Sequence, residues 1–495
     1  MPTTASFKIM NITGHKNQLK KEILVRIIKS FFSDNFEENI RLIPFDMRPK
    51  GMEVPYRCCI YKERAIIKDR AIAGLGFPIE DDDDTISLRT YAQKALERKD
   101  IDGKNLTVLQ AACKGCLTNR IFVTDLCQGC VDRPCLSACK FGAISIRNGK
   151  SVIDETKCKK CKMCIAACSY KAIVKITVPC EEACVVGAIK KDETGFASID
   201  YSKCIYCGKC IAACPFGAVH EMSQIIDILK AMKDKKEKKI IALIAPAIAG
   251  QFNANIYQIK TALMEIGFDD VLEVAEGADI TAFNEAAEFA DIMERNEKFM
   301  TSSCCAGYRQ LIKKHLPEIK PFISDTQTPL YYTAELAKKK FKNSVTIFIS
   351  PCVAKRAECY ENENVDFVMN FEELDAFFTA KEIDPGKCGE TKFDKESSKH
   401  GRNFGIIGGV TGAIKAALNS STDVTSYVVN GLNKDTIGKL KSFASAGESD
   451  DSFNMVEVMF CPGGCIGGSA TITDQKTAKK SIDALVEKSK EFELS

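Results

Sequence analysis

The sequence predicts an α/β C-terminal domain with two lobes of mostly parallel sheet and helices, after an α+β cysteine-rich module and a small N-terminal α/β region. Three observations support this prediction. Apolar runs of strand length alternate with helical patterns in the second half of the chain. Cysteine motifs repeat in the middle, and the first part carries amphipathic helical patterns. We expect domain boundaries at 1–110, 111–222 and 223–495.

The N-terminal region is predicted mainly from two helical patterns. Residues 19–32 place apolar side chains on one face and basic side chains on the other, and residues 88–98 form a second pattern. The acidic run at 81–84 is typical of a solvated loop. These features indicate no specific task for residues 1–110.

Composition excludes several functional classes. The chain of 495 residues has a formal net charge of only +3, so no basic field indicates a nucleic-acid partner. We find no apolar run of 18 residues, and therefore expect no membrane span. The first residues contain no apolar signal core, which favours a mature, cytoplasmic protein. With 25 cysteines and no secretion signal, metal binding is favoured over disulfides.

Sixteen of the 25 cysteines form a repeat in the middle of the chain. The pattern of a Cys-x3-Cys pair followed by Cys-x2-Cys-x2-Cys-x3-Cys begins at Cys135 and recurs 45 residues later at Cys180. This pattern resembles two bacterial ferredoxin-like modules in tandem. A 4Fe–4S cube takes four thiolates, and the last cysteine of such a run reaches the neighbouring cube. We therefore expect an iron–sulfur electron wire.

The expected ligand sets follow from this resemblance and from counting. They are Cys127, Cys130, Cys135 and Cys168; Cys158, Cys161, Cys164 and Cys139; Cys204, Cys207, Cys210 and Cys184; and Cys113, Cys116, Cys180 and Cys214. Sixteen cysteines at four per cube make four cubes. The alternative is a zinc site on Cys113, Cys116, Cys127 and Cys130, which would leave three cubes.

The C-terminal domain carries three predicted strands that mark its function. The apolar run 239–245 is typical of a buried parallel strand, and runs at 344–350 and 456–460 lead directly into cysteine motifs. Ligand sites in α/β proteins lie at the carboxyl ends of such strands. We therefore expect the cysteine motifs of this domain to share one site.

Three cysteine islands supply that site. They are Thr301-Ser-Ser-Cys-Cys-Ala-Gly-Tyr308, Ser350-Pro-Cys-Val-Ala-Lys355 and Met459-Phe-Cys-Pro-Gly-Gly-Cys-Ile-Gly-Gly468. Their order and residues resemble those of the FeFe (iron-only) hydrogenases. The resemblance implies an H-cluster, in which a 4Fe–4S cube is joined to a di-iron unit bearing CO, cyanide and a dithiolate amine. The implied cube ligands are Cys305, Cys352, Cys461 and the bridging Cys465.

The resemblance also implies a proton path and cofactor contacts. Cys304 matches the family's proton-donating thiol, and the implied order beyond it is Glu285, Ser324 and Glu288. The two glutamates stand three apart in a predicted helix, so they share one face. Lys355 matches the lysine that hydrogen-bonds a cyanide ligand. The residues implied to contact the cofactor are Pro246, Lys355 and Met459.

The implied activity is reversible oxidation of H2 to two protons and two electrons, with electrons relayed to a ferredoxin or flavodoxin. Two alternatives stay open: a hydrogen-sensing regulatory homologue with slow turnover, and a non-catalytic homologue that acts in iron–sulfur assembly. The chain differs from most members of the family at several island positions. These are Ala306, Tyr308, Leu330, Ser350 and Phe460. They indicate a divergent subgroup.

The remaining cysteines and the histidines show no ligand spacing. Cys58 and Cys59 are adjacent and predicted to be unligated, and Cys359 and Cys388 to be structural. The four histidines are expected at the surface. They are His15, His220, His315 and His400.

Overall fold

A computed structural model describes residues 15–52, 58–101, 103–113, 116, 120–234, 238–295, 297–418, 423–445 and 453–492. The chain segment on which the absence of a signal core was judged lies largely at 1–14, outside these residues. Within the described part, no helix is both long enough and apolar enough to span a bilayer.

The N-terminal region is more helical than the expected α/β arrangement. Its elements are α1 (His15–Phe31), α2 (Phe36–Met47), α3 (Ile60–Gly74), a 3-10 turn (Ile79–Asp81), α4 (Leu88–Glu97) and β1 (Leu106–Val108). Helix α1 buries Ile23, Ile27 and Ile28 in a core that also contains strand residues of the C-terminal domain. The four helices thus pack onto the rest of the molecule, because their apolar faces have one common core to cover.

The cysteine-rich part contains short helices and two-stranded sheets. Its elements are α5 (Gln110–Cys113), β2 (Arg120–Val123), α6 (Pro134–Ser137), β3 (Ile144–Arg147), β4 (Lys150–Ile153), α7 (Met163–Ala167), β5 (Ile173–Ile176), α8 (Pro179–Ala183), β6 (Ile189–Lys191), β7 (Ala197–Ile199), α9 (Lys209–Ala213) and β8 (Val219–Glu221). The antiparallel pairs are β2–β5, β3–β4, β6–β7 and β1–β8.

The two cysteine modules are nested in the chain as well as consecutive in motif order. Strand β1 pairs with β8, with Leu106 opposite Glu221 and Val108 opposite Val219, so the second module begins before the first. We call residues 120–178 the outer module, and residues 105–116 with 179–221 the inner module. The boundary expected at residue 110 therefore falls inside the inner module. The strand is only three residues long, which is too short for its partner to be recognised from pattern.

The C-terminal domain begins with α10 and contains two parallel sheets. Its elements are α10 (Ile225–Lys233), β9 (Lys239–Ile244), α11 (Ile256–Ile266), β10 (Asp270–Glu273), α12 (Val274–Glu294), β11 (Met300–Thr301), α13 (Ala306–His315), α14 (Pro329–Lys340), β12 (Ser344–Ser350), α15 (Lys355–Cys359), β13 (Phe367–Asn370), α16 (Phe371–Ala380), α17 (Lys399–Asn403), α18 (Gly409–Ala417), β14 (Ser426–Asn430), α19 (Lys434–Ser445), β15 (Met455–Met459) and α20 (Gln475–Glu487).

The expected two lobes are confirmed. One lobe holds a four-stranded sheet in the order β10-β9-β12-β13, and the other a three-stranded sheet in the order β11-β15-β14. All pairs in both sheets are parallel. Strands β12 and β15 are buried along their whole length, as a parallel sheet covered on both faces requires.

A buried charge network joins the three parts of the chain. Lys20 of α1 is paired with Glu221 of β8 and with Glu372 of α16. Arg356 of α15 binds Glu373 of α16 through two contacts of 2.8 Å. Each of these side chains comes from a different element, so the N-terminal helix, the inner module and the C-terminal domain are held in one arrangement.

Candidate functional site

The three cysteine islands lie where the carboxyl ends of the two sheets meet. Cys304 and Cys305 follow β11, and Cys305 is the residue before the first turn of α13. Cys352 follows β12 by two residues. The third island follows β15 and contains Cys461 and Cys465. Parallel strands deliver their loops to the same edge, so the topology itself gathers the islands.

Four of these thiols lie close enough to repel one another as thiolates. Burial, and then the charges of Cys305 and Cys352, raise the pKa of Cys465 to about 12. Burial and Cys305 likewise raise the pKa of Cys352 to about 11. Burial, then Cys352 and Cys305, also raises the pKa of Cys461. A buried set of four sulfur donors that repel as anions has the chemistry of a site for a positively charged iron cube.

The third island approaches the opposite backbone closely. Gly463 and Gly464 have φ values of 79° and 89°, in the left-handed region. A side chain at Gly464 would collide with the carbonyl oxygen of Gly405. The adjacent Cys465 amide donates to that same carbonyl at 2.7 Å. The two glycines are therefore needed to bring the Cys465 thiol into the site.

Lys355 places an ammonium group beside the first island. Its Nζ donates to the Cys304 carbonyl at 3.3 Å and to Glu358 at 2.5 Å. Burial would lower the pKa of Lys355, but the Glu358 carboxylate outweighs it and raises that pKa. Glu358 is held in turn by the Thr328 hydroxyl at 2.6 Å. The lysine is a fixed cation at the edge of the four-thiol site.

Cys304 and Glu285 form a buried acid pair next to this site. Burial, and then the charge of Glu285, raises the pKa of Cys304 well above its ordinary range. Glu285 is 0 % exposed, and neither carboxylate oxygen has a hydrogen-bond partner of normal geometry within the described part of the chain. Burial raises the pKa of Glu285 to about 8, although the Ser303 amide and the Ser324 hydroxyl oppose this. Glu285 therefore holds its proton at neutral pH.

Ser324 connects this pair to the protein surface. Its hydroxyl donates to Glu288 at 2.6 Å, which leaves its lone pairs available toward Glu285. Glu288 is half-buried and also accepts from the Asp325 amide at 2.7 Å and the Thr326 hydroxyl at 2.6 Å. The structure thus brings together the four residues that the sequence predicted as a path, in the predicted order.

The other predicted contact residues occupy strand ends of the same edge. Pro246 opens a 3-10 turn directly after β9 and is half-buried. Met459 is the last residue of β15, is 3 % exposed, and packs in a cluster with Cys304. Both positions agree with a lining role beside the islands.

The sixteen middle cysteines are arranged in the expected fours. Cys127, Cys130, Cys135 and Cys168 line one cavity, and Cys139, Cys158, Cys161 and Cys164 line another. In the inner module, burial and then Cys214, Cys113 and Cys116 raise the pKa of Cys180 to about 12. Burial and then Cys204 and Cys184 raise the pKa of Cys207 to about 12.

The arrangement does not favour the zinc alternative. Cys113 and Cys116 face Cys180 and Cys214, and are not gathered with the Cys127 pair. Among the described residues, no three Cys, His, Asp or Glu side chains lie close enough to hold a single metal ion. The leading pair that the second module lacked is supplied across the inserted outer module.

Several residues of the site were missed from the sequence. Glu358, the partner of Lys355, stands three residues after it on α15, and that spacing was a usable signal. Glu457 of β15 accepts from the backbone amides of Gly408 and Thr411 at 2.7 and 2.9 Å and thereby fixes the start of α18. No local pattern marks a buried glutamate inside an apolar strand.

The expectation of a surface position was wrong for His220. This residue is 6 % exposed, and its Nδ1 lies 2.7 Å from the Glu221 carbonyl. It lines a cavity of about 310 Å³ that also contacts Cys207 of the inner module and Cys461 of the third island. Strand pairing with β1 buries it, and that pairing was not predicted.

Comparison with known proteins agrees with this geometry. Residues 238–469 match the family described as the iron-only hydrogenase large subunit, C-terminal domain. The chain belongs to the iron-only hydrogenase family. Residues 197–220 match a 4Fe–4S binding domain, which covers the inner module's cysteine run and β8.

Individual relatives share about a quarter of their residues with this family member. Iron hydrogenase 1 of Clostridium pasteurianum is 26 % identical over 391 residues, covering 68 % of this chain and 67 % of the relative. The NADP-reducing hydrogenase subunit HndD of Solidesulfovibrio fructosivorans is 26 % identical, covering 51 % of this chain and 53 % of the relative. The chain thus spans about two thirds of one relative and about half of the other. A solved FeFe-hydrogenase variant from Chlamydomonas reinhardtii aligns with a TM-score of 0.42 at 19 % identity, covering 52 % of this chain and 88 % of that one.

Proposed function

We propose that this protein is a hydrogenase that interconverts H2 with two protons and two electrons. The observation that carries the proposal is the buried line from Cys304 through Glu285 and Ser324 to Glu288, which starts beside the four-thiol site and ends at a half-buried carboxylate. Proton-exchanging groups aligned from an iron–sulfur site to the surface are what a proton-reducing site requires.

The donor set fits an H-cluster. Cys305, Cys352, Cys461 and Cys465 would hold its cube, with Cys465 also joining the di-iron unit. Lys355 would contact its anionic ligands, because the ammonium is fixed by Glu358 at the edge of the site. Pro246 and Met459 would line its apolar side. When bound, the H-cluster supplies the iron position and the amine base at which H2 is split.

The chain's own residues then move the proton. The Cys304 thiol is buried, and its raised pKa keeps the proton on sulfur until a base accepts it. Protonated Glu285 can donate to Ser324 Oγ, since that hydroxyl already gives its own proton to Glu288. Glu288 is stabilised as a carboxylate by the Asp325 and Thr326 amides at 2.7 and 3.2 Å, so it can release a proton to water.

Electrons would travel through the accessory clusters. We assign four 4Fe–4S cubes to the sixteen middle cysteines, with three cubes plus one zinc ion as the alternative. The inner module adjoins the four-thiol site, because the Cys207 thiolate raises the pKa of Cys461 after burial and the nearer island thiolates. We propose a ferredoxin or flavodoxin as the carrier and the cytoplasm as the location.

The deciding experiment is to purify the chain without oxygen, mature it with the di-iron cofactor, and record its infrared spectrum while assaying H2 evolution from reduced methyl viologen. CO and cyanide bands that shift under H2, together with turnover, support the proposal. Bands with only trace turnover would indicate a sensor. Full iron–sulfur loading without such bands would leave an electron-transfer or assembly protein.

The proton path is tested separately by substitution. Cys304→Ala should abolish turnover but leave the iron content and infrared bands in place. Glu285→Gln should lower kcat by about 10²- to 10⁴-fold, the usual contribution of a proton-transferring group. Asp291→Asn on the exposed face of α12 is the matched control and should be silent. Turnover in Cys304→Ala equal to that of the unaltered protein would remove this path.

A further inference from the structure

The outer module differs in charge from the rest of the chain. Residues 120–178 contain eleven Lys and Arg against four Asp and Glu, a net charge of +7, whereas the whole chain carries +3. The inner module, residues 105–116 and 179–221, has five against six, a net charge of −1. The positive field of this protein is therefore concentrated on one small module.

The same module exposes apolar side chains. Nine of the 17 large hydrophobic residues exposed in the described part of the chain lie in it. They are Phe122, Leu126, Val131, Leu136, Phe141, Val152, Met163, Tyr170 and Val174. The inner module contributes none to that set. Exposed apolar side chains concentrated on one part of a protein mark an interaction site.

One loop combines both properties directly over a predicted cube. Lys159, Lys160 and Lys162 alternate with the cysteines of the loop 158–164, and all three are exposed. Within the described chain, no carboxylate lies at ion-pair distance from them. Phe141 and Met163 are 47 % and 50 % exposed beside the same cavity that these cysteines line. We call Phe141, Lys159, Lys160, Lys162 and Met163 the outer-loop surface.

The outer-loop surface also carries the most accessible thiol of the sixteen. Cys161 is exposed, whereas the other fifteen are buried or half-buried. A cube held there would lie under this surface, with three ammonium groups and two apolar side chains around its edge. The steep distance dependence of electron transfer makes such an edge the natural point of exchange with a second protein.

We propose that the outer-loop surface is the docking site of an acidic, soluble one-electron carrier protein. The three lysines would attract its acidic face, and Phe141 and Met163 would exclude water from the contact. One electron passes from the reduced centre of the carrier to the cube at Cys158, Cys161, Cys164 and Cys139. The carrier is oxidised by one electron and the cube reduced by one, and no bond is made or broken. This inference rests on the proposed function for the direction of the electron.

The charges should act mainly on the rate of encounter. Complementary surface charge raises association rates by about 10- to 10³-fold, and salt screens it because the Debye length is about 10 Å at 0.1 M ionic strength. Rim charges change the association rate more than the residence time. The expected signature is therefore a kcat/KM for the carrier that falls steeply with salt.

The test compares two triple variants of the full, cluster-loaded protein. Lys159→Gln, Lys160→Gln and Lys162→Gln together remove three charges from the outer-loop surface. The control, Lys476→Gln, Lys480→Gln and Lys488→Gln, removes three exposed charges on and after α20 in the C-terminal domain. The probe is a strongly acidic two-cube ferredoxin, with methyl viologen as a small carrier that needs no docking. Affinity for the oxidised probe is measured by calorimetry at low and high salt.

We expect the outer variant to lose about tenfold in affinity and in kcat/KM for the ferredoxin at low salt, with a flatter salt dependence. Its viologen turnover should be unchanged, and the control should match the unaltered protein in both assays. Equal affinity in both triple variants would overturn the docking inference while leaving the proposed function intact. Absence of viologen turnover in the unaltered protein would instead overturn the proposed function, and the calorimetry would still decide the docking.

Discussion

The loop 158–164 of the outer module and the loop 204–210 of the inner module have the same cysteine spacing and the same backbone. Lys160 and Tyr206 occupy corresponding positions with φ values of 56° and 54°. Lys162 and Gly208 correspond in the same way, with φ values of 69° and 76°. The loops differ in what surrounds them, so their side chains report environment and not cube geometry.

The inner loop is held by side chains from both neighbouring parts of the protein. Lys314 of α13 donates to the Cys204 carbonyl at 2.6 Å, and Lys209 donates to the Leu432 carbonyl. From the other side, Lys16 of α1 donates to the Ala212 carbonyl at 2.9 Å and the Cys214 carbonyl at 3.2 Å. The inner module is thus integrated into the protein, whereas the outer module projects its loop to solvent.

This comparison suggests how one motif serves two tasks. At the inner loop, contacts to fixed carbonyl groups hold a cube at a set place beside the catalytic domain. At the outer loop, unpaired lysines leave the cube accessible to a partner. The difference predicts that equivalent substitutions in the two modules have unequal effects.

Removal of one equivalent cysteine should show the largest difference. Cys210→Ala and Cys164→Ala delete the third cysteine of each run, and each should lose about four irons per chain. Because α9 contacts the N-terminal helix, Cys210→Ala should also lower the midpoint of thermal unfolding and interrupt carrier-driven turnover. Cys164→Ala should retain viologen turnover and lose only carrier-driven turnover. Iron analysis, calorimetry and the two assays check this, and an equal loss of thermal stability in both would refute the distinction.

Buried charge should show the next largest effect. Lys20→Met leaves Glu221 and Glu372 buried without their cation, which should lower the free energy of unfolding by about 3–5 kcal/mol. Lys157→Met in the outer module breaks an exposed 3.9 Å contact with Asp154 and should change it within measurement error. Urea denaturation measures both variants. A partial recovery in the double variant Lys20→Met, Glu372→Gln would assign the loss to the unpaired carboxylate.

Close packing at the corresponding loop position should show a smaller effect. A side chain at Gly208 would lie 2.5 Å from Cβ of Ser469, so Gly208→Ala should cost about 1–3 kcal/mol through forced displacement. Lys162→Ala, at the same backbone conformation in solvent, should leave the free energy of unfolding unchanged. Denaturation of both variants tests this, and a silent Gly208→Ala would mean that the inner loop can move away from the C-terminal domain.

The features predicted from the sequence are those with local or repeated patterns. The strand runs ending at Ile244, Ser350 and Met459 are long and apolar, and each was predicted within a residue of its observed end. The cysteine fours followed from spacing and counting, because each thiolate must belong to a set of four. Their grouping at strand ends then followed from parallel topology.

The unpredicted features depend on contacts between distant segments. The pairing of β1 with β8 joins residues separated by more than a hundred positions, and it nests one module in the other. The same pairing buries His220, and α1 buries Lys20 against Glu221. Two residues that depart from the family, Tyr308 and Phe460, pack in one buried cluster, which single-position comparison could not reveal.

The smallest predicted effect is a pH dependence confined to the inner module, since the outer module contains no histidine. Burial, followed by the charges of Lys20 and Arg70, lowers the pKa of His220 to about 3 from its ordinary 6.5. The unfolded chain therefore binds one more proton below about pH 6.5, and the free energy of unfolding should fall by up to about 1.4 kcal/mol per pH unit on acidification. His220→Gln should remove this slope between pH 7 and 5.5, a range above the titration of paired carboxylates. His315→Gln, at a ring that contacts the Lys203 carbonyl at the surface, should keep it; an unchanged slope in His220→Gln would show that other groups titrate there.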